Sequence, residues 1–179
     1  AGSTGASFVL TGNGDPTRLP GARTTGTLVD VFGVQPMLGR WYTGQEDQPG
    51  GPAVVVLSYD FWNRRLNGDR GALGRKLILD GTPYEIIGVM PKSFAHARAQ
   101  VYVPLQQKLD PSTRGTHFLP VYARLKKGVT IERATKEMRD LGHVLAKEFG
   151  HNHGVDVQSF TESMVGEVRT PLNVLLGAV

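Results

Sequence analysis

The pattern of apolar and polar positions is most informative between Val54 and Phe94. Val54–Leu57 is an unbroken apolar, β-branched run, which predicts a strand covered on both faces. Ser58 stands at the N-cap of a short helix, where its hydroxyl can accept from a free backbone N–H. Phe61, Trp62 and Leu66 give that helix an apolar side, and Gly68 can supply a left-handed stop. Leu77–Leu79 and Tyr84–Val89 flank Asp80-Gly81, a strong hairpin signal, and Met90-Pro91 ends the second strand. No nucleophile, metal cluster or phosphate loop falls in this stretch, so it reads as scaffold.

Upstream, Ser7–Thr11 and Ala22–Leu28 predict two strands joined by the turn Asn13–Pro16. Leu28–Phe32 predicts one or two helical turns closed by Gly33, and the loop Gln48–Pro52 marks a candidate boundary. Downstream, Ala95–Gln100 reads as a loop. Val101, Val103 and Leu105 surround Pro104, which predicts an edge strand. Leu109–Gly115 is a Pro/Ser/Gly linker, and the alternation of Phe118–Leu125 predicts a half-buried strand.

Thr130 caps the clearest helix, in which Ile131, Ala134, Met138, Leu141, Leu145 and Phe149 fall on one stripe. The opposite face carries Arg133, Lys136, Glu137, Arg139 and Lys147. The acids Glu132, Glu137, Asp140 and Glu148 dilute its basic character, which favours packing on a sheet over a membrane-surface helix. Val155, Val157 and Phe160 predict a last strand. The sequence Leu172–Val179 is free of charge but too short to span a bilayer, which takes about 20 apolar residues. A C-terminal helix over 166–179 is expected.

Length and charge narrow the classes. The 179 residues suit one domain or two small subdomains sharing a core. The 20 basic and 16 acidic residues are interspersed, without the aromatic-laced basic stripe of a nucleic-acid binder. The compact basic group Arg64, Arg65, Arg70, Arg75 and Lys76 reads as solvated surface, with an anionic partner as the alternative. The lack of cysteine excludes disulfides, thiolate chemistry and most structural zinc sites. No charged-then-apolar signal opens the sequence, so the chain is expected to be mature, excised or cytoplasmic.

Candidate chemistry is sparse. Gly12 and Gly14 form a Gly-x-Gly without the third glycine or following helix of a nucleotide fingerprint. With no GxxxxGK[ST] phrase, this chain alone is not expected to hydrolyse ATP. Glu46 and Asp47 are adjacent and imply no paired acid–base geometry, so a loop surface or helix start is expected. His151 and His153, with His143, are metal-ligating residue types that a fold can gather, although a helix-ending loop is the simpler reading. Asp110 or Glu162 with His117 would make a hydrolase pair, but no spacing supports it. No catalytic, cofactor-binding or metal residue is therefore assigned.

Several phrases in one order carry a family resemblance. They are the apolar strand, Ser58-Tyr59-x-x-Trp62-x-x-Arg65, Leu73-Gly74-Arg75, the Asp80-Gly81 hairpin and Ile87-Gly88-Val89-Met90-Pro91. Phe32-Gly33-Val34, Pro36 and Leu38-Gly39-Arg40 precede an aromatic and Glu46-Asp47, and Ala123-Arg124-Leu125-Lys126-Lys127-Gly128-Val129-Thr130 leads into the long helix. The chain resembles the MacB-like periplasmic core domain of ABC transporter permeases, in particular those in which core and membrane module occur twice.

That resemblance implies an α+β fold of mixed sheets with packed helices in two subdomains. One is membrane-proximal, from 1–48 and 117–179, and the other is an outer insertion at 49–116. It implies a non-catalytic domain on the periplasmic or extracytoplasmic side of the inner membrane that transmits motion between membrane helices and the periplasm. An ATP-binding subunit or domain would drive it, tripartite exporters add an adaptor protein, and a homodimer or pseudo-dimer is implied. No cofactor is implied. Gly166–Val179 would then lead into a membrane helix. The alternative is a free-standing ligand-binding or sensor domain, which needs a concave apolar pocket with a few polar anchors.

Overall fold

In the computed structural model seven strands and two helices lie within residues 1–124. They are β1 (Ser3–Thr11), β2 (Thr17–Thr24), α1 (Leu28–Phe32), β3 (Leu38–Gly39), β4 (Val54–Leu57), α2 (Tyr59–Arg65), β5 (Lys76–Leu79), β6 (Thr82–Val89) and β7 (Val101–Pro104). A third helix, α3 (Ile131–Phe149), lies in a separate unit of residues 125–179. The structure describes residues 1–12, 14–108, 110, 116, 118–150, 155, 157–161 and 163. The fold is α+β, as the family resemblance implies.

The strands form one mixed sheet in the order β3-β6-β4-β7-β2-β1-β5, and β5 also pairs with β6. Six strands therefore close into a ring, with β3 laid against the outside edge of β6. Strands from 1–48 and from 49–116 share this one ring. β2 and β7 run parallel, β4 is antiparallel to β7 and parallel to β6, and the β5–β6 hairpin meets β1 through Leu10↔Leu79 and Thr11↔Ile78.

The period-two geometry of β4 explains its unbroken apolar run. Val55 and Leu57 join Phe8, Leu19, Leu79, Val103 and the α2 residues Phe61 and Trp62 in one buried cluster. Val54 and Val56 join Leu28, Trp41, Tyr42, Phe94 and Tyr102 in the other. Each fully buried Val, Leu or Phe contributes roughly 1.5–3 kcal/mol of transfer free energy.

Local chemistry sets the element ends. Ser58 Oγ accepts from Phe61 N at 3.1 Å, capping α2. The backbone N–H groups of Leu66 and Gly68 both donate to Trp62 O, with Gly68 at φ 66°. The Trp62 indole N–H donates to Asp69 O at 2.9 Å, pinning the helix to the turn after it. Asp80 (φ 49°) and Gly81 (φ 77°) make the two-residue primed turn. Asp80 then locks the hairpin to β1: Oδ1 accepts from Val9 N at 2.7 Å and its own N–H donates to Val9 O at 2.9 Å.

Five elements among the described residues differ from the sequence reading. β1 starts at Ser3 rather than Ser7, and β2 occupies Thr17–Thr24 rather than 22–28, in register from Ser3↔Thr24 to Leu10↔Thr17. Gly, Ser, Thr and Pro dominate these strands, and cross-strand pairing overrides their weak propensity. β7 is not an edge strand. It lies between β4 and β2 with every residue buried, and Pro104 is tolerated because β4 pairs only with Val101 and Tyr102.

Phe118–Leu125 is no strand. A single bridge joins Gly2 to Val121, which is 74% exposed, and Pro120 next to it has no N–H to extend a ladder. Val155 and Val157 lie in no strand, and Phe160 starts a helical turn in which Ser163 N donates to Ser159 O at 2.9 Å.

Within 125–179, Thr130 Oγ1 caps α3 by accepting from Arg133 N at 3.3 Å, and Gly150 (φ 72°) closes it. Arg133–Glu137 and Lys136–Asp140 pair at 2.9 and 2.8 Å along its polar face. The expected burial of the apolar stripe is not what the described residues show: Met138, Leu141, Leu145 and Phe149 are exposed. No helix among the described residues is long and apolar enough to cross a membrane. The helix expected over 166–179 lies outside the described residues, as does the linker 109–115 apart from Asp110.

Candidate functional site

Two polar constellations in unit 1–124 tie distant segments together. The first gathers the loops where β2 and β7 end and β4 begins. Arg40 pairs bidentately with Glu46, both contacts at 2.8 Å. Glu46 Oε2 also accepts from Thr43 N at 2.8 Å, while Glu46 N donates to Thr43 Oγ1 at 3.3 Å, a capping box. The Arg40 guanidinium and these donors hold the Glu46 carboxyl down to about 2. Asp47 accepts from Gly26 N at 3.0 Å and Gln106 N at 3.1 Å, and the Gln106 amide donates to Glu46 O and Pro52 O. Glu46 and Asp47 thus act as a structural knot that ties the loops 43–47, 26 and 106 together.

Beside the knot, Tyr42 is buried and stacked on Trp41 at 4.3 Å between ring centroids. The Tyr42 hydroxyl shares a short hydrogen bond with Thr24 Oγ1 and donates to Val103 O at 3.2 Å. Burial pushes its phenol pKa well up. The Trp41 indole N–H is buried with no hydrogen-bond partner among the described residues. Glycines let the backbones close here: a Cβ on Gly39 would strike Ile87 O, and one on Gly88 would strike Arg40 O.

The second constellation surrounds the start of β1. Ala1 and Tyr122 exchange backbone hydrogen bonds, and Ser3 N donates to Pro120 O at 3.1 Å. Gly2 N donates to Thr25 Oγ1 and Thr25 N to Gly2 O. His96 Nε2 lies 2.8 Å from Ser3 Oγ. The imidazole also sits against the rings of Phe32 at 5.2 Å and Tyr122 at 5.3 Å. Arg124 Nε donates to Val31 O at 2.8 Å, fastening the outgoing segment to α1. The start of β1 and residues 118–124 are therefore bound side by side.

A serine within reach of a histidine is half of a nucleophilic arrangement. Ser3 is only 3% exposed, however, and no carboxylate among the described residues bonds the other imidazole nitrogen. The geometry suits a joint rather than a reaction.

The sequence candidates fall elsewhere. Gly12 and Gly14, at φ 94° and 87°, shape the turn between β1 and β2. Arg64 pairs with Asp60 at 3.2 Å and Arg75 with Asp69 at 2.6 Å, all on the surface. His143 is exposed on α3, and no group of metal-ligating side chains is found among the described residues. His117, His151, Asn152, His153 and Glu162 lie outside them, while Asp110 lies within. Sequence reasoning missed Ser3, His96 and Tyr122. A lone histidine in a polar loop gives no signal until the fold brings Ser3 and Tyr122 to it.

Residues 2–141 match the family model of the MacB-like periplasmic core domain. The structure is similar to the extracellular domain of the noncanonic ABC-type transporter YknZ from Gram-positive bacteria, with a TM-score of 0.61 and 17% identity over 88% of this chain and 79% of that one. It is also similar to the periplasmic region of MacB from Actinobacillus actinomycetemcomitans, with a TM-score of 0.58 and 20% identity over 93% of this chain and 74% of that one. No curated protein matches the chain. At these identities the structural likeness establishes the fold.

Proposed function

From the premise that the chain belongs to the MacB-like periplasmic core domain family, we propose that it is the extracytoplasmic domain of an ABC transporter permease and relays motion between membrane helices and the periplasm. The observation that supports this most is the mutual pairing of Ala1 with Tyr122. Two segments bound side by side to one closed ring make the ring follow both when either is displaced. The ring itself is stiffened by buried cores on both faces of β4.

In this reading the work comes from an ATP-binding subunit or domain acting through the membrane helices, and the core domain carries no catalytic residue. The division into a membrane-proximal part, 1–48 with 117–179, and an outer insertion, 49–116, belongs to the same proposal. So do the membrane helix continuing from 166–179, a periplasmic adaptor and a paired arrangement of two core domains.

The test uses the full-length permease, otherwise free of cysteine, in liposomes with its outer face exposed. A cysteine replacing the exposed Asn67 should react with a membrane-impermeant thiol reagent, and one replacing Leu176 should be protected. Ready labelling at position 176, or none at 67, would overturn the proposed orientation.

A further inference from the structure

The geometry around His96 carries a second role for the joint. The half-buried imidazole sits where three segments meet: its Nε2 reaches Ser3 Oγ at 2.8 Å, its backbone carbonyl accepts from the Tyr102 hydroxyl at 3.1 Å, and its ring stands edge-on to Tyr122. The loop that holds it is strained. Ala97 and Arg98 follow it in the left-handed region, at φ 55° and 50°, which side-chain-bearing residues rarely adopt in succession.

We infer that His96 is the pin of a proton-sensitive clamp: with the imidazole neutral, the start of β1 and the outgoing segment stay paired, and protonation releases Tyr122 from Ala1.

The surroundings explain the sign. From β1 the ring meets the buried Ser3 hydroxyl, from α1 the Phe32 ring, from the loop after β6 the Phe94 ring at 6.1 Å, and from the outgoing segment the Tyr122 ring. β1 and β7 carry no charged residue. β2, which packs against the turn 96–98, carries Arg18 and Arg23, and the other segments carry Asp30, Lys92, Arg98 and Arg124; none of these is hydrogen-bonded to the imidazole. Burial accordingly lowers the His96 pKa from its ordinary value.

A group with a lowered basic pKa favours the closed state above the ordinary histidine pKa. It loses that preference as pH falls through its own. An imidazolium here regains hydration by leaving the aromatic wall, and relaxation of the left-handed loop goes the same way.

Hydrogen exchange on the full-length permease in lipid nanodiscs tests this, read on peptides covering 1–5 and 118–124 and corrected for intrinsic rates. Acidification from about pH 7.5 to about pH 5.5, across the histidine range, should reduce protection there several-fold, with about tenfold as the ceiling for one histidine. A peptide covering 54–57 should keep its protection. In His96→Gln, which keeps a hydrogen-bonding side chain without the titration, the acid loss should vanish. If that variant lacks protection at 54–57, His96→Phe, which keeps the aromatic packing, replaces it with the same expectation. No acid loss in the wild type, or an equal loss in the folded variant, would overturn the clamp. The clamp stands or falls on exchange alone and does not require the transport reading.

Discussion

Ala1 and Tyr122 exchange hydrogen bonds of 2.7 Å in each direction, from the Ala1 amine to Tyr122 O and from Tyr122 N–H to Ala1 O. This is the closely spaced pair of an antiparallel ladder, formed by residues 121 positions apart. Displacing one residue along the strand direction loads the other in shear across two aligned hydrogen bonds. The start of β1 and residues 118–124 are thereby tied together, and the remaining contacts of unit 1–124 decide how firmly the ring is held to them.

The Arg40–Glu46 knot gives that body an acid-sensitive component. The Glu46 carboxyl falls from 4.5 to about 2 on folding, so its contribution is fully present above about 4.5 and is lost as pH drops toward 2. Glu46→Gln should lower stability at neutral pH by on the order of 1 kcal/mol. It should also flatten the stability profile between those two values. Chemical denaturation across that pH range checks both, and a variant that keeps the wild-type acid slope would refute the assignment.

Tyr42→Phe should cost about 1–3 kcal/mol, because it leaves the buried Thr24 hydroxyl and Val103 carbonyl without their partner. Thermal unfolding measures it. A change within error would mean that the hydroxyl network adds nothing beyond packing.

Gly81→Val should cost roughly 1 kcal/mol or more, since a β-branched residue at φ 77° is strained. Asp80→Ala should destabilise independently by removing the carboxylate that accepts from Val9 N. If the double variant shows no more loss than Gly81→Val alone, the link from hairpin to β1 carries no weight.

The parts legible in the sequence are those with local causes. Ser58 capping α2, the Asp80-Gly81 turn, Gly33 closing α1 and Thr130 starting α3 all rest on a few adjacent residues. What escaped depends on distant partners. β2 is half polar and carries Pro20 and Gly21 at its centre, and is a strand because β1 and β7 flank it on both sides. Pro104 suggests an edge, yet it terminates a central strand at a position where one neighbour has already stopped pairing. The joint is the extreme case: His96, Ser3 and Tyr122 acquire meaning only from the closed ring. The apolar stripe of α3 was readable as a helix face, but its partner was not.

The most direct measurement is the rate of ATP hydrolysis by the reconstituted full-length transporter, with its ATP-binding subunit or domain, carrying Ala1→Cys and Tyr122→Cys in an otherwise cysteine-free background. Residues directly opposed in an antiparallel pair lie within disulfide range, so oxidation should bridge them. A joint that stays paired while it relays motion gives the same rate oxidised and reduced. A rate that collapses on oxidation and returns with reductant would show that the two segments must part during the cycle, and would contradict transmission through a fixed joint.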